Sequence, residues 1–108
     1  MEELNIKAIT AKTDERCFED LVRSRKAWIL RVASGASKHY VSDSDDEWSI
    51  ALTAFHEAVQ SYDGQKGSFR ALASVVIRRR ILDYLRSEGR HNLETAVTPG
   101  AFGGDLRS

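Results

Sequence analysis

The sequence predicts an all-α fold: a small bundle of three main helices with a flexible C-terminal tail. Three observations point there. Apolar residues recur at helical spacing through three long stretches. No stretch reads convincingly as a strand. The only proline, Pro99, and the pair Gly103-Gly104 fall after Gly89, so the helix breakers collect at one end. With 108 residues, 42% of them hydrophobic, the chain makes one small globular domain.

Residues 1–12 form a short polar lead, an N-terminal arm left open between strand-like and disordered. The domain proper runs over residues 13–88. Thr13 can cap a first long helix, with Asp14 and Glu15 favourable in its first turn. Phe18, Leu21, Val22, Trp28, Ile29, Val32 and Ala36 then mark a core stripe that reaches about Tyr40. Gly35 weakens this helix by up to about 1 kcal/mol relative to Ala, or marks a kink or a close helix crossing. Arg23, Arg25, Lys26, Arg31 and Lys38 decorate it as solvated charges, some within reach of a nucleic-acid backbone.

Ser44-Asp45-Asp46-Glu47 has the pattern of a capping box, Ser at the cap and Glu three residues on, and opens a second helix that ends near Tyr62. Trp48, Ala51, Leu52, Phe55, Val59 and Tyr62 form its core stripe. The opposite face carries Asp46, Ser49, Ile50, Thr53 and Glu57. Ile50 is a large apolar residue among acidic and polar ones, on the wrong side for the core. Isolated surface apolar residues are common, but an apolar centre with a charged rim also describes a protein-binding patch.

A glycine-bracketed loop, Asp63 to Gly67, leads to Ser68, a good N-cap for the third helix. This helix has no Gly or Pro between Phe69 and Gly89, where it is expected to stop. Phe69, Ala73, Val76, Ile77 and Tyr84 share its core side, with Leu72 and Ile81 at the edges. Val75, Arg79, Leu82 and Arg86 lie one turn apart on another side, beside Arg78. Arginine suits bidentate recognition of phosphate or guanine; the plainer alternative is a solvated charged face. Residues 89–108 read as an interdomain linker or disordered tail.

Charge separates along the chain although the formal net charge is +0. From Val41 to Asp63 there are Asp43, Asp45, Asp46, Glu47, Glu57 and Asp63 but no Lys or Arg. From Gly64 to Arg90, Lys66, Arg70, Arg78, Arg79, Arg80, Arg86 and Arg90 face only Asp83 and Glu88. Two surfaces with two kinds of partner follow.

Several function classes fall away. His39, His56 and His91 are far apart, with no Cys or carboxylate at metal-ligand spacing. No glycine-rich phosphate loop follows a strand. No catalytic residue, metal, cofactor or small-molecule substrate is therefore expected. No apolar run approaches the roughly 20 residues needed to cross a bilayer, and no signal peptide is visible. Cys17 has no partner for an internal disulfide, so the cytoplasm is the default compartment.

Residues 45–63 (DDEWSIALTAFHEAVQSYD), then Gly67-Ser68-Phe69, then residues 76–86 (VIRRRILDYLR), together resemble conserved region 2 of bacterial RNA polymerase sigma factors, most like the sigma-I type. Several motifs agree in order and spacing, which makes the resemblance specific; it covers roughly Phe18 to Arg86. It implies an all-helical domain with two tasks. The acidic helix would dock on the clamp of the largest catalytic subunit of core RNA polymerase, through Asp46, Ser49, Ile50, Thr53 and Glu57. This is the face already singled out by spacing. The basic helix and its preceding loop would meet the −10 element of promoter DNA and capture unpaired nontemplate-strand bases. By position, Arg79 matches the reader of the upstream base pair, with Arg78, Leu82, Asp83 and Arg86 nearby. Lys66, Ser68 and Arg70 would contact the extruded strand.

The resemblance also shows departures. Housekeeping sigma factors place two tryptophans where this chain has Val75 and Val76, an aromatic residue at Leu72 and a Gln at Ser49. Weaker melting and a narrower promoter set are expected of such an alternative sigma factor. A whole sigma factor also has a C-terminal domain that reads the −35 element, so this chain is expected to be an N-terminal piece ending in its linker. A membrane-anchored anti-sigma factor is a further partner that the sigma-I resemblance implies. Two rival functions remain open from the residues alone: a helical protein-interaction module whose basic helix binds an acidic partner, and a helix-turn-helix-type repressor binding duplex DNA.

Overall fold

The computed structural model describes residues 3–65 and 67–96, with side chains through residue 88. Four helices follow in order: α1 (Glu3–Ala11), α2 (Glu15–Ser37), α3 (Asp46–Ser61) and α4 (Phe69–Ala96), with no strand among the described residues. The bundle is all-α, as composition and periodicity predict. The most extensive packing is between α3 and α4; α2 packs on both, and α1 closes the bundle against α2 and α4.

The N-terminal lead is a helix rather than a strand-like or disordered arm. Leu4, Ala8 and Ala11 lie at helical spacing and are all buried. Its polar residues tie it to the rest. Asn5 Oδ1 accepts the Phe69 amide at 2.8 Å, Lys12 Nζ donates to the Tyr62 carbonyl at 3.0 Å, and Gln60 Nε2 donates to the Lys12 carbonyl at 3.2 Å. These contacts span more than 45 residues of sequence, which is why local spacing does not reveal them.

The caps shift by one residue from the sequence expectation. Asp14, not Thr13, caps α2: its Oδ1 accepts the amides of Arg16 and Cys17 at 3.0 and 3.2 Å. Those bonds hold the Asp14 carboxyl below its ordinary pKa, the Cys17 amide contributing most. The Ser44–Glu47 capping box does not form. Asp45 occupies the cap position of α3, and its carboxylate turns back to accept the Ser42 amide at 2.9 Å. Glu47 is taken by His39 at 3.1 Å. Asp46 and Glu47 still complement the positive end of the α3 dipole.

Two helix ends also differ. α2 stops at Ser37 because Lys38 turns left-handed, φ 63°, and its amide returns to the Ser34 carbonyl at 2.8 Å. Gly35 lies inside α2, where a Cβ would meet nothing within 4 Å, so it marks no close crossing. α4 runs through Gly89 to Ala96. One glycine costs a helix only about 1 kcal/mol against Ala, and Pro99 is the next strong breaker. The expected tail is thus helical over its first residues, and residues 97–108 lie outside the described ones.

Phe55 sits at the centre of the core. Its ring meets Phe69 edge-on at 5.4 Å and Phe18 tilted at 6.1 Å, and Tyr62 meets Phe69 at 5.5 Å. Edge-to-face contacts of this kind add about 0.5–1.5 kcal/mol to plain burial. Ala33, Ala36, Ala51, Ala54, Ala58 and Ala73 are buried around them, and their small side chains bring the helices close. Ile29, Val41, Val59, Ile77 and Ile81 fill the rest.

Candidate nucleic-acid interface

The rotation of α4 about its own axis decides what it shows to solvent. Phe69, Ala73, Ile77 and Ile81 are fully buried, which fixes that rotation. At its start, Ser68 Oγ accepts the Ala71 amide at 3.1 Å and Ser68 O accepts the Leu72 amide at 3.2 Å. The Ser68 hydroxyl and Asn5 thus satisfy two orphan donors of the first turn, the amides of Ala71 and Phe69. The preceding loop turns on Gly64 (φ 80°) and Gly67 (φ 72°), a backbone region that L side chains rarely enter. Tyr62 Oη donates to the Gly67 carbonyl at 3.2 Å and holds the loop to the core.

The outward side of α4 is a shallow groove of about 270 Å³ lined by Val75, Arg78, Arg79, Leu82, Asp83 and Arg86. Val75 and Leu82 are 49% and 41% exposed, apolar patches between guanidinium groups. Arg78 and Arg79 are exposed and have no ion-pair partner among the described residues. Arg86 is paired, its Nη1 donating to Asp83 Oδ1 at 2.8 Å one turn back. That pair lies on the surface, where it is worth about 0–1 kcal/mol, so a phosphate can displace Asp83. Of the residues near the loop, Arg70 is exposed and its guanidinium stacks over the Trp28 ring at 5.4 Å. Ser68 is half-buried and its hydroxyl is committed to capping, with its own proton left to donate. Lys66 lies outside the described residues.

The face singled out on α3 lies around the corner from this groove. Asp46, Ser49 and Thr53 are exposed. Ile50 is not a fully outward residue; it is half-buried and packs against the edge of the core. Glu57 is half-buried and faces α4, where Arg80 grips it with both Nε and Nη2. A second groove of about 450 Å³ between α3 and α4 has Ser49, Ile50 and Thr53 on one wall and Arg80, Asp83 and Tyr84 on the other. Tyr84 Oη donates to Asp46 Oδ2 at 3.3 Å. Burial, then the nearby Asp46 charge, pushes the Tyr84 hydroxyl up from its ordinary pKa.

The structure therefore brings Arg78, Arg79, Leu82, Asp83 and Arg86 into one groove and Ser49, Ile50 and Thr53 into another, which Asp83 also lines; Asp46 lies beside the second through its bond from Tyr84, and Glu57 lies in neither. Three residues escape sequence reasoning. Arg80 lies about 100° around the helix from Arg79, toward the acidic helix, a placement a helical wheel can find. Trp28 beneath Arg70 and Asn5 on α4 depend on tertiary placement, and no local signal announces them.

Residues 21–91 match the family model described as Sigma-70 region 2, which takes in all of α3 and most of α2 and α4. The chain belongs to this family of sigma factor domains. Within it, the resemblance is to the SigI type. The chain is 40% identical over 72 residues to RNA polymerase sigma factor SigI of Bacillus subtilis, covering 66% of this chain and 29% of that protein. It is 37% identical over 83 residues to the Bacillus anthracis SigI, covering 76% and 35%. It is 44% identical over 71 residues to SigI1 of Acetivibrio thermocellus, covering 64% and 28%. The chain thus spans about a third of the length of the curated relatives it matches. Among the described residues no helix is long and apolar enough to cross a membrane.

Proposed function

We propose that this domain recognises promoters as part of an alternative sigma factor, docking on core RNA polymerase through α3 and binding the −10 element through α4. The observation that carries this is the fixed rotation of α4. Its buried Phe69, Ala73, Ile77 and Ile81 force Arg78, Arg79, Leu82 and Arg86 into one outward groove to which α3 contributes no residue. The names of the relatives, all RNA polymerase sigma factors, support the same assignment.

Each residue has a physical task. Arg78 and Arg86 neutralise phosphates, which makes affinity fall with salt. Arg79 reads a base edge of the upstream pair of the element, where a bidentate guanidinium discriminates best. Val75 and Leu82 offer apolar contact to a thymine methyl or to an unstacked base. Arg70 and Ser68, with Lys66, hold the extruded nontemplate strand. Opening the duplex costs a few kcal/mol per unstacked step, and these contacts offset it. Val75, Val76 and Leu72 lack the aromatic faces that would stack on bases, so melting is weaker and the promoter set narrower. The domain acts where the polymerase acts, in the cytoplasm, and a membrane-anchored anti-sigma factor is a regulator that fits this role.

Fluorescence anisotropy tests the assignment. The domain, alone and with core polymerase, should prefer single-stranded nontemplate −10 DNA to the matching duplex. Arg79→Ala should weaken binding to a probe that keeps the upstream pair double-stranded ahead of the single-stranded element by about 1–3 kcal/mol, roughly 5- to 150-fold. Equal or tighter binding to closed duplex, or no loss in the Arg79 variant, would overturn it.

A further inference from the structure

Arg80 is the one member of the Arg78-Arg79-Arg80 run that is not in the outward groove of α4. It points toward α3, where its Nε donates to Glu57 Oε1 at 2.9 Å and its Nη2 donates to Glu57 Oε2. The fork uses both carboxylate oxygens. Yet the two side chains are 51% and 40% exposed, and an ion pair that open to water is weakly held.

Its position is unusual. Arg80 lines the α3–α4 groove that holds Ser49, Ile50 and Thr53. It also lines a separate groove of about 340 Å³ that it shares with Glu57, Val76, Arg79 and Asp83. Arg79 and Asp83 in turn line the outward groove. One guanidinium therefore lines both the α3–α4 groove and the groove it shares with Arg79, and it is held by a single acid, Glu57, that lines only the second.

We propose that Arg80 is a reserve phosphate-binding residue, sequestered by Glu57 in the unbound domain and released when a partner seated on the α3 face engages Glu57 with a basic side chain. This rests on the two-faced function proposed above and adds a link between the faces. A cation from the partner replaces Arg80 on Glu57. Arg80 then turns about its long side chain toward Arg79 and joins the cationic groove. Docking raises DNA affinity, and by thermodynamic reciprocity DNA raises the affinity for the partner. The docking face selects a partner that carries Lys or Arg opposite Glu57, one helical turn beyond Thr53.

A double-mutant cycle on the full chain tests this. The probe is a fluorescein-labelled, random-sequence single-stranded DNA of about 20 nucleotides, which reads phosphate binding whatever the promoter. Binding is measured across a salt series for wild type, Glu57→Gln, Arg80→Gln and the double variant. Releasing Arg80 adds about one phosphate contact, so Glu57→Gln should steepen the slope of log K against log salt by about 0.7 and tighten binding several-fold at low salt. Arg80→Gln alone should change little, because Arg80 is already occupied. The double variant should lose the gain. With core polymerase present, Arg80→Gln alone should become costly.

An additive cycle, in which Glu57→Gln tightens binding equally with and without Arg80, would show mere relief of charge repulsion and overturn the proposal. So would an equal loss on Arg80→Gln in both backgrounds. Arg79→Ala, measured alongside on the promoter probe that keeps the upstream pair double-stranded, separates the failures. If it weakens binding while the cycle stays additive, only the link between the faces falls. If neither Arg79 nor Arg80 matters to DNA, the function assigned to α4 falls with it. Circular-dichroism melts of each variant confirm that the helices remain.

Discussion

His39 is 52% exposed, yet both of its ring nitrogens face acceptors: the Tyr40 carbonyl at 2.9 Å and Glu47 Oε2 at 3.1 Å. Only the imidazolium can donate to both. The Tyr40 carbonyl contributes most, Glu47 next, and together they raise the histidine pKa above its usual value. A raised folded pKa gives a contribution that is complete below the unfolded pKa of about 6.5 and is lost as pH rises through the folded value. His39→Gln should therefore lower the melting temperature at about pH 5.5, with the difference shrinking at about pH 8.5. A difference that stays constant over that range would show that the proton is not what holds the α2–α3 corner. The same histidine explains the failed capping box, since a Glu47 that serves His39 cannot reach back to its own cap. Sequence reasoning saw the pattern Ser44 to Glu47 but not the competitor, because His39 comes from the turn that follows α2.

At the scale of elements, the two long core-facing helices that follow the first loop were the most legible. The stripes Trp48 to Tyr62 and Phe69 to Ile81 have long unbroken periodicity, and nearly all of their members are buried or half-buried. α1 was illegible for a physical reason. In residues 1–12 apolar and polar residues interleave closely enough to fit more than one period, and its helix is selected by packing and by bonds to distant residues. Asn5 is the clearest of these bonds, since it caps a helix that begins 64 residues later. Asn5→Ala leaves the half-buried Phe69 amide without its acceptor. The expected loss is about 1–3 kcal/mol in urea unfolding, with little change in helix content. An unchanged midpoint would mean that solvent replaces Asn5 at the start of α4, and that α1 is held by its apolar side alone. The outward groove of α4 was readable because core stripe and arginine row are two phases of one period. The Glu57–Arg80 pair was not, because it depends on how α3 and α4 are turned toward each other.

For the whole molecule, the balanced charge conceals two oppositely charged neighbours in one bundle. Acidic α3 and basic α4 pack more extensively than any other pair, so a body seated on α3 is carried to a fixed place beside α4. The function proposed above would use that geometry, with a polymerase on one face presenting opened strands to the other. On that proposal the α3 face can be damaged without touching the outward groove of α4. Ile50→Glu puts a charge at the apolar centre of the α3 face, but Ile50 is half-buried and the change also strains the core edge. Ser49→Arg is the cleaner partner experiment, since Ser49 is exposed and its enlargement costs the fold nothing inside. Both variants should lose co-purification with core polymerase, and Ser49→Arg should keep wild-type melting. Neither should lose affinity for single-stranded DNA in the absence of polymerase. If Ser49→Arg and Ile50→Glu both retain full polymerase binding, the α3 face is not where the enzyme sits. If instead DNA binding falls with polymerase binding in Ser49→Arg, the two surfaces are not separable, and a single interface must serve both partners.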